Sequence, residues 1–192
     1  MRILVFCMNL KPTNIILALI LSFLPRTVWA QTHSDCSLEL GTFHSYKAVG
    51  FCADLFTSDD QFDTIELTAD MHDVFSGKRP VPGIRASYIH NIILKEFSVR
   101  EGETAARIYA GPGVTAGYIR DSWKPFGVMA GITGAVGVRA SFLHNISLSA
   151  ELGIDVALFA QKDARYGNID LTLYEAGIKN IIYPQLKISY RL

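Results

Sequence analysis

Two serines stand three residues before a histidine, Ser87 before His90 and Ser141 before His144, and these are the residue types of a nucleophile and its general base. That chemistry needs hydrogen-bond reach, about 3 Å. On an extended strand successive side chains point to opposite faces, so a three-residue spacing parts each serine from its histidine. The expectation is therefore a serine facing inward and a histidine in a polar turn. Asp70 and His72 share a strand face and, with Asp73, make a weak set of metal-ligand types, with no second cluster at zinc spacing to complete it. Asp59, Asp60 and Asp63 form an acidic stretch of the kind that can hold Ca²⁺, but a solvated connection has the same composition. Gly111, Gly113 and Gly117 precede no helix and give no phosphate-binding signal. No catalytic, cofactor-binding or metal site is assigned, and no cofactor is expected.

What remains is a set of isolated charges of both signs, Glu66, Asp70, Glu151 and Asp155 against Arg85, Arg107, Arg139 and Lys187. Period-two alternation, the strand signal, positions them. Between 147 and 158, Leu148, Ala150, Leu152, Ile154, Val156 and Leu158 share one face, opposite Ser147, Ser149, Glu151, Gly153, Asp155 and Ala157. Segments 126–142, 106–118, 65–72 and 182–192 divide in the same way. A soluble sandwich tends to carry long polar side chains on its wet face. Here the polar face is mostly Gly, Ala and Ser with single charges, which suits the crowded inside of a narrow barrel. The predicted fold is all-β, an eight-stranded antiparallel up-and-down transmembrane β-barrel. Its apolar face meets lipid, with Phe126, Phe142, Tyr88, Tyr118 and Tyr190 as interface aromatics near strand ends. The charges then pair across the lumen as a structural network, because an eight-stranded barrel is just wide enough for its own side chains to fill it.

A repeat supports the meander. Gly83-Ile84-Arg85-Ala86-Ser87-Tyr88-Ile89-His90-Asn91-Ile92 recurs as Gly137-Val138-Arg139-Ala140-Ser141-Phe142-Leu143-His144-Asn145-Ile146, each copy a strand followed by a His-Asn turn. Strands are expected near 37–45, 47–56, 63–75, 82–90, 104–120, 126–143, 146–160 and 181–192, with 169–178 as a possible extension beyond the membrane. Both termini and the short His144-Asn145 turn would lie in the periplasm. External loops would centre on Ser76–Pro80, Asp121–Pro125 and Gln161–Asn180, with another near His44.

The 192 residues carry 18 Lys+Arg and 18 Asp+Glu, and only 19% are charged, so neither disorder nor a nucleic-acid partner is indicated. The run Asn14–Leu24 is too short to span a bilayer as a helix, which needs about 20 apolar residues. Arg2 and Lys11 precede it, and Val28-Trp29-Ala30 supplies a cleavage site, so residues 1–30 read as a secretory signal peptide and 31–192 as the barrel domain. Met8 is an alternative start. Export to an oxidising compartment leaves two readings for Cys36 and Cys52, a disulfide across a hairpin turning near His44 or two unpaired buried thiols.

A signal followed by an alternating barrel ending Pro184-Gln185-Leu186-Lys187-Ile188-Ser189-Tyr190-Arg191-Leu192 resembles the small outer-membrane β-barrel families, OmpA-like, OmpX-like and PagL-like among them. Tyr-Ala-Gly-Pro-Gly-Val-Thr-Ala-Gly-Tyr at 109–118 and the Gly-rich strand at 127–137 are similar to the generic outer-membrane β-barrel domain proteins. The terminal Leu192 departs from the Phe that ends many of them. The resemblance implies a bacterial outer-membrane location, with outer-membrane lipids and, during biogenesis, the barrel-assembly machinery as partners. It also implies a monomer with a structural or surface-interaction role, its external loops meeting an unknown surface ligand. A PagL-like lipid hydrolase and a soluble periplasmic lipocalin-like binding protein are the alternatives. The first needs a Ser, a His and an acid together on the lipid face, and the expected register brings none together.

Overall fold

The computed structural model describes residues 37–46, 48–71, 83–100, 104–120, 126–142, 145–162, 168–175 and 182–192. Residues 1–30, Cys36, His72, Asp73, His144 and the connections at 76–80 and 121–125 lie outside them. Among the described residues there are nine strands: β1 (Ser37–Ser45), β2 (Ala48–Ser58), β3 (Gln61–Asp70), β4 (Gly83–Arg100), β5 (Thr104–Arg120), β6 (Phe126–Phe142), β7 (Ile146–Lys162), β8 (Ile169–Leu173) and β9 (Ile182–Arg191). Strands β1 to β7 pair antiparallel in chain order. β9 then pairs with both β7 and β1, closing eight strands into a barrel. Closure leaves no free edge within the ring, which is how such a sheet avoids exposing unpaired backbone groups. β8 stands outside the ring, pairing with Leu158–Lys162 at the end of β7.

The alternation sorts the two faces as the sequence suggests. Along β7 every second residue from Ser147 to Phe159 is buried, and the apolar residues between them are exposed. Phe51, Ile132 and Leu186 are 67%, 65% and 60% exposed on the outer wall, whereas Arg139 and Lys187 are 2% and 3% exposed inside it. A water-soluble barrel would distribute these residues the other way round.

One end of the barrel carries the start of β1, the end of β9, the Asp59–Asp60 turn and the ends of β4 and β6; we call it the terminal end. The other, where β1, β3, β5 and β7 finish, is the loop end. A single row of paired residues shows the stagger. Ser45, at the loop end of β1, faces Gln185, and the row runs on through Glu151, Gly137, Tyr109 and Ile93. Ile93 bonds to Asp60 in the turn at the terminal end. One circuit thus displaces the row by about a strand length, so the strands tilt, and tilt and stagger together set a narrow bore.

Three expectations need correcting. β4 does not turn at His90-Asn91 but continues to Arg100, because the alternating terminal-end half of β5 requires a partner there. Tyr88 therefore lies in mid-strand, away from the strand ends. Asp59 and Asp60 form a tight turn while Asp63 belongs to β3, so the three acids are not one loop. The β1–β2 register sets Gly41 opposite Cys52, four residues (roughly 13 Å) along β1 from Ser37. Cys52 is a buried thiol, and Cys36, the other member of the expected pair, lies outside the described residues.

Candidate functional site

The barrel lumen concentrates the polar side chains of the molecule, and they lie in layers. Nearest the terminal end, the Arg139 guanidinium pairs with Glu39 through Nη2 and with Asp54 Oδ2 through Nη1, at 2.9 Å. Arg191 Nη2 donates to the other Glu39 oxygen at 2.9 Å. Beneath this layer Phe56 stacks on Phe62, their rings lying 4.9 and 5.6 Å from Arg139 Cζ, so the guanidinium is held by carboxylates and by ring faces. Thr64 donates to Asp54 at 2.7 Å and receives a bond from Asn91 at 2.9 Å, extending the layer to β3 and β4.

The middle layer is centred on Lys187, whose Nζ lies 2.6 Å from Glu66 Oε1 and 2.8 Å from Glu151 Oε2. Gln185 donates to the same two carboxylates, at 3.2 and 2.5 Å. Tyr109 donates its hydroxyl to Glu151. Glycine makes this layer possible. A Cβ on Gly137, opposite Tyr109, would sit 2.7 Å from Glu151 Cγ and 2.8 Å from Tyr109 Cζ. Gly153 gives the Tyr183 ring the same room across the β7–β9 pair.

The third layer joins Arg85 of β4 to Asp155 of β7, and Asp155 also accepts from Thr133 at 2.7 Å and from Tyr183 at 3.3 Å. Beyond it, at the loop end, the chemistry changes: Ile119, Met129, Ala157, Phe159 and Tyr174 form a buried apolar cluster. Tyr174, just past β8, bonds its backbone to Ala157 and lies over Phe159. The β8 hairpin thus brings a ring to cap the bore.

Of the eight charges singled out in the sequence, the structure brings together Arg85 with Asp155, and Lys187 with Glu66 and Glu151. Arg139 is central but pairs with Glu39 and Asp54, which were not among them. Arg107 does not reach across the lumen. It meets Glu96 of the adjacent β4, at 3.3 Å with the carboxylate half exposed, because both lie near the terminal-end rim. Asp70 sits at the last residue of β3, toward the loop end. Glu39, Asp54 and Arg191 were missed, and parity was the available signal. Leu38 and Leu40 alternate with Glu39 and Gly41 on β1, and Ala53 and Leu55 flank Asp54 on β2.

Ser87 separates from His90 as expected, and His144, the partner considered for Ser141, lies outside the described residues. Ser87 faces inward and bonds to Thr115, and Ser141 bonds to Ser147, while His90 faces outward. Among the described residues, no three His, Cys, Asp or Glu side chains gather as a metal site.

The chain matches no established family profile and no curated protein sequence. Among solved structures it is similar to the N-terminal β-barrel domain of Pseudomonas aeruginosa OprF, with 16% identity and a TM-score of 0.50, over 81% of this chain and 97% of that one. A major outer membrane protein from Thermus thermophilus aligns at 12% identity and a TM-score of 0.44, covering 83% of this chain and 100% of that one. The fold is that of the small outer-membrane β-barrels: eight antiparallel strands in up-and-down order, closed on themselves.

Proposed function

We propose that this chain is an outer-membrane protein, exported with residues 1–30 as its cleaved signal, whose barrel is a non-catalytic anchor for its external loops. One observation carries the reading: the wall is apolar outside and ionic inside, the arrangement that lipid on one side and a filled lumen on the other require. Its partners are outer-membrane lipids along the wall, the barrel-assembly machinery during insertion, and a surface ligand of unknown identity at the loops. The lumen charges act as a stiffening plug. Arg85, Arg139 and Lys187 are each matched by at least one carboxylate, and an apolar cluster fills the bore toward the loop end. Against lipid hydrolysis stands the orientation of Ser87, held inward on Thr115 while His90 faces out.

Envelope fractionation of cells making the full chain tests this, combined with protease treatment of intact cells. The reading expects the processed chain in the outer-membrane fraction, cut only within 71–82, 121–125 or 163–181. Recovery in the soluble periplasmic fraction would contradict it. Purified protein added to planar bilayers is expected to give no steady conductance.

A further inference from the structure

The lumen does not hold every ionisable group of the strands. On β3, Phe62, Thr64, Glu66 and Thr68 face inward, so Asp63 has the outer-wall parity of Ile65 and Leu67, although it is only 8% exposed beside Tyr88 and His90. Tyr88 and His90 of β4 share that face with Ile84 and Ile92, and Asp63 and His90 are direct cross-strand neighbours. Asp63 Oδ1 accepts the Tyr88 hydroxyl at 2.9 Å and faces His90 Nδ1 at 2.7 Å. Both bonds fall on one oxygen. Asp63 Oδ2 and His90 Nε2 have no partner among the described residues, and the His90 side chain is 40% exposed.

An acceptor and a potential donor thus stand side by side in a wall whose other neighbours are Ile65, Leu67 and Ile92. Ionisable groups facing lipid are disfavoured unless something completes their bonds. The adjoining surface is low. Pro112 lies beside His90, bracketed by the Ile89–Gly113 and Ile92–Ala110 pairs, and its own partner on β6 is Gly134. A Cβ on Gly134 would find only the Gly111 carbonyl oxygen, at 3.3 Å, so the position is a notch in the outer wall. Small residues beside polar ones let two membrane-embedded surfaces approach closely enough to hydrogen-bond.

We infer that this face joins two copies of the chain about a two-fold axis parallel to the barrel axis, each His90 Nε2–H donating to Asp63 Oδ2 of the other copy. A neighbouring donor and acceptor are self-complementary under a two-fold, so a single surface supplies both halves of an isologous contact. With both ring nitrogens protonated, His90 donates Nδ1–H to its own Asp63 and Nε2–H across the axis. Two copies inserted in the same direction meet in this orientation. The monomer expected from the sequence is the opposite outcome of the test.

The test is sedimentation equilibrium of the full chain folded in detergent micelles, with Asp63→Ala, His90→Ala and Gly134→Leu variants. Each is first shown to be folded by its heat-dependent gel migration. The parent is expected to dimerise, and each variant to lose about tenfold or more in dimer affinity, Gly134→Leu with both polar groups intact. Mixing Asp63→Ala with His90→Ala restores one of the two cross-bonds, so the mixture should dimerise better than either variant alone. A parent that stays monomeric at every protein-to-detergent ratio would overturn the inference, whether or not native mass spectrometry finds a phospholipid retained on Asp63 and His90. Variants that dimerise like the parent would overturn it too.

Discussion

The two ends of the lumen are filled differently, one by ion pairs packed on the Phe56 and Phe62 rings and the other by apolar side chains. Toward the terminal end the bore is filled by carboxylates gathered around Arg139 and Lys187, and at the loop end by Ile119, Met129, Phe159 and Tyr174. β7 contributes to both regions, placing Glu151 and Asp155 inward and then, four residues on, Phe159. The same alternation that points a charge into the barrel at one level points a ring into it at the next. The difference lies in what each filling demands. A buried ion pair must keep both partners, since removing one leaves a desolvated charge with no compensation. An apolar cap loses only contact area and gains a cavity when a side chain is cut back.

That contrast can be broken most forcefully at Arg139. Arg139→Ala leaves Asp54 without a cation and Glu39 with Arg191 alone, and is expected to lower stability by about 4 kcal/mol, read from urea unfolding of the micelle-folded chain. Neutralising the layer as a unit, with Arg139→Met, Glu39→Gln and Asp54→Asn combined, should recover most of that loss. A triple variant as unstable as Arg139→Ala would show that packing rather than charge decides this layer. Phe159→Ala, fully buried in the cap, should lower stability by about 3 kcal/mol, with no neighbouring substitution that rescues it by neutralisation. Gly137→Val tests how tightly the middle layer is filled. Its side chain collides with Tyr109 and Glu151, and a loss of about 2 kcal/mol is expected in the same unfolding assay. The smallest effect belongs to Arg107→Ala, below about 1 kcal/mol, because its Glu96 partner is 48% exposed. An Arg107 effect equal to that of Arg139 would erase the distinction between rim and lumen.

The legibility of the sequence follows from which side chains face inward. β5, β6 and β7 are long, and their inward residues are mostly Gly, Ala, Ser, Thr and charges, so parity shows directly and Arg139, Glu151 and Asp155 stand out. β1 and β2 hide theirs. Phe43 and Phe56 are apolar and face inward, while Thr42 and His44 are polar and face outward, so the parity that marks Glu39 and Asp54 is local and interrupted along each strand. Asp63 reads with Asp59 and Asp60 as one acidic stretch, although the parity of Ile65 and Leu67 runs back to it. The His90-Asn91 turn failed through local chemistry. Asn favours turns by bonding to nearby backbone, but Asn91 instead spends its amide on Thr64 inside the lumen, and β4 continues. The loop-end cap depends on Tyr174 folding back over Phe159, a contact between segments whose relation no periodicity records.

The central claim is a closed wall, apolar outside and filled with ion pairs inside. The most direct measurement compares boiled and unboiled samples of the chain, folded in detergent micelles, on an SDS gel. A closed barrel has no free strand edge at which detergent can open it, so the unboiled protein should migrate differently and shift on heating, with β-rich circular dichroism before boiling. Identical migration of the two samples, together with solubility in plain buffer, would contradict the account.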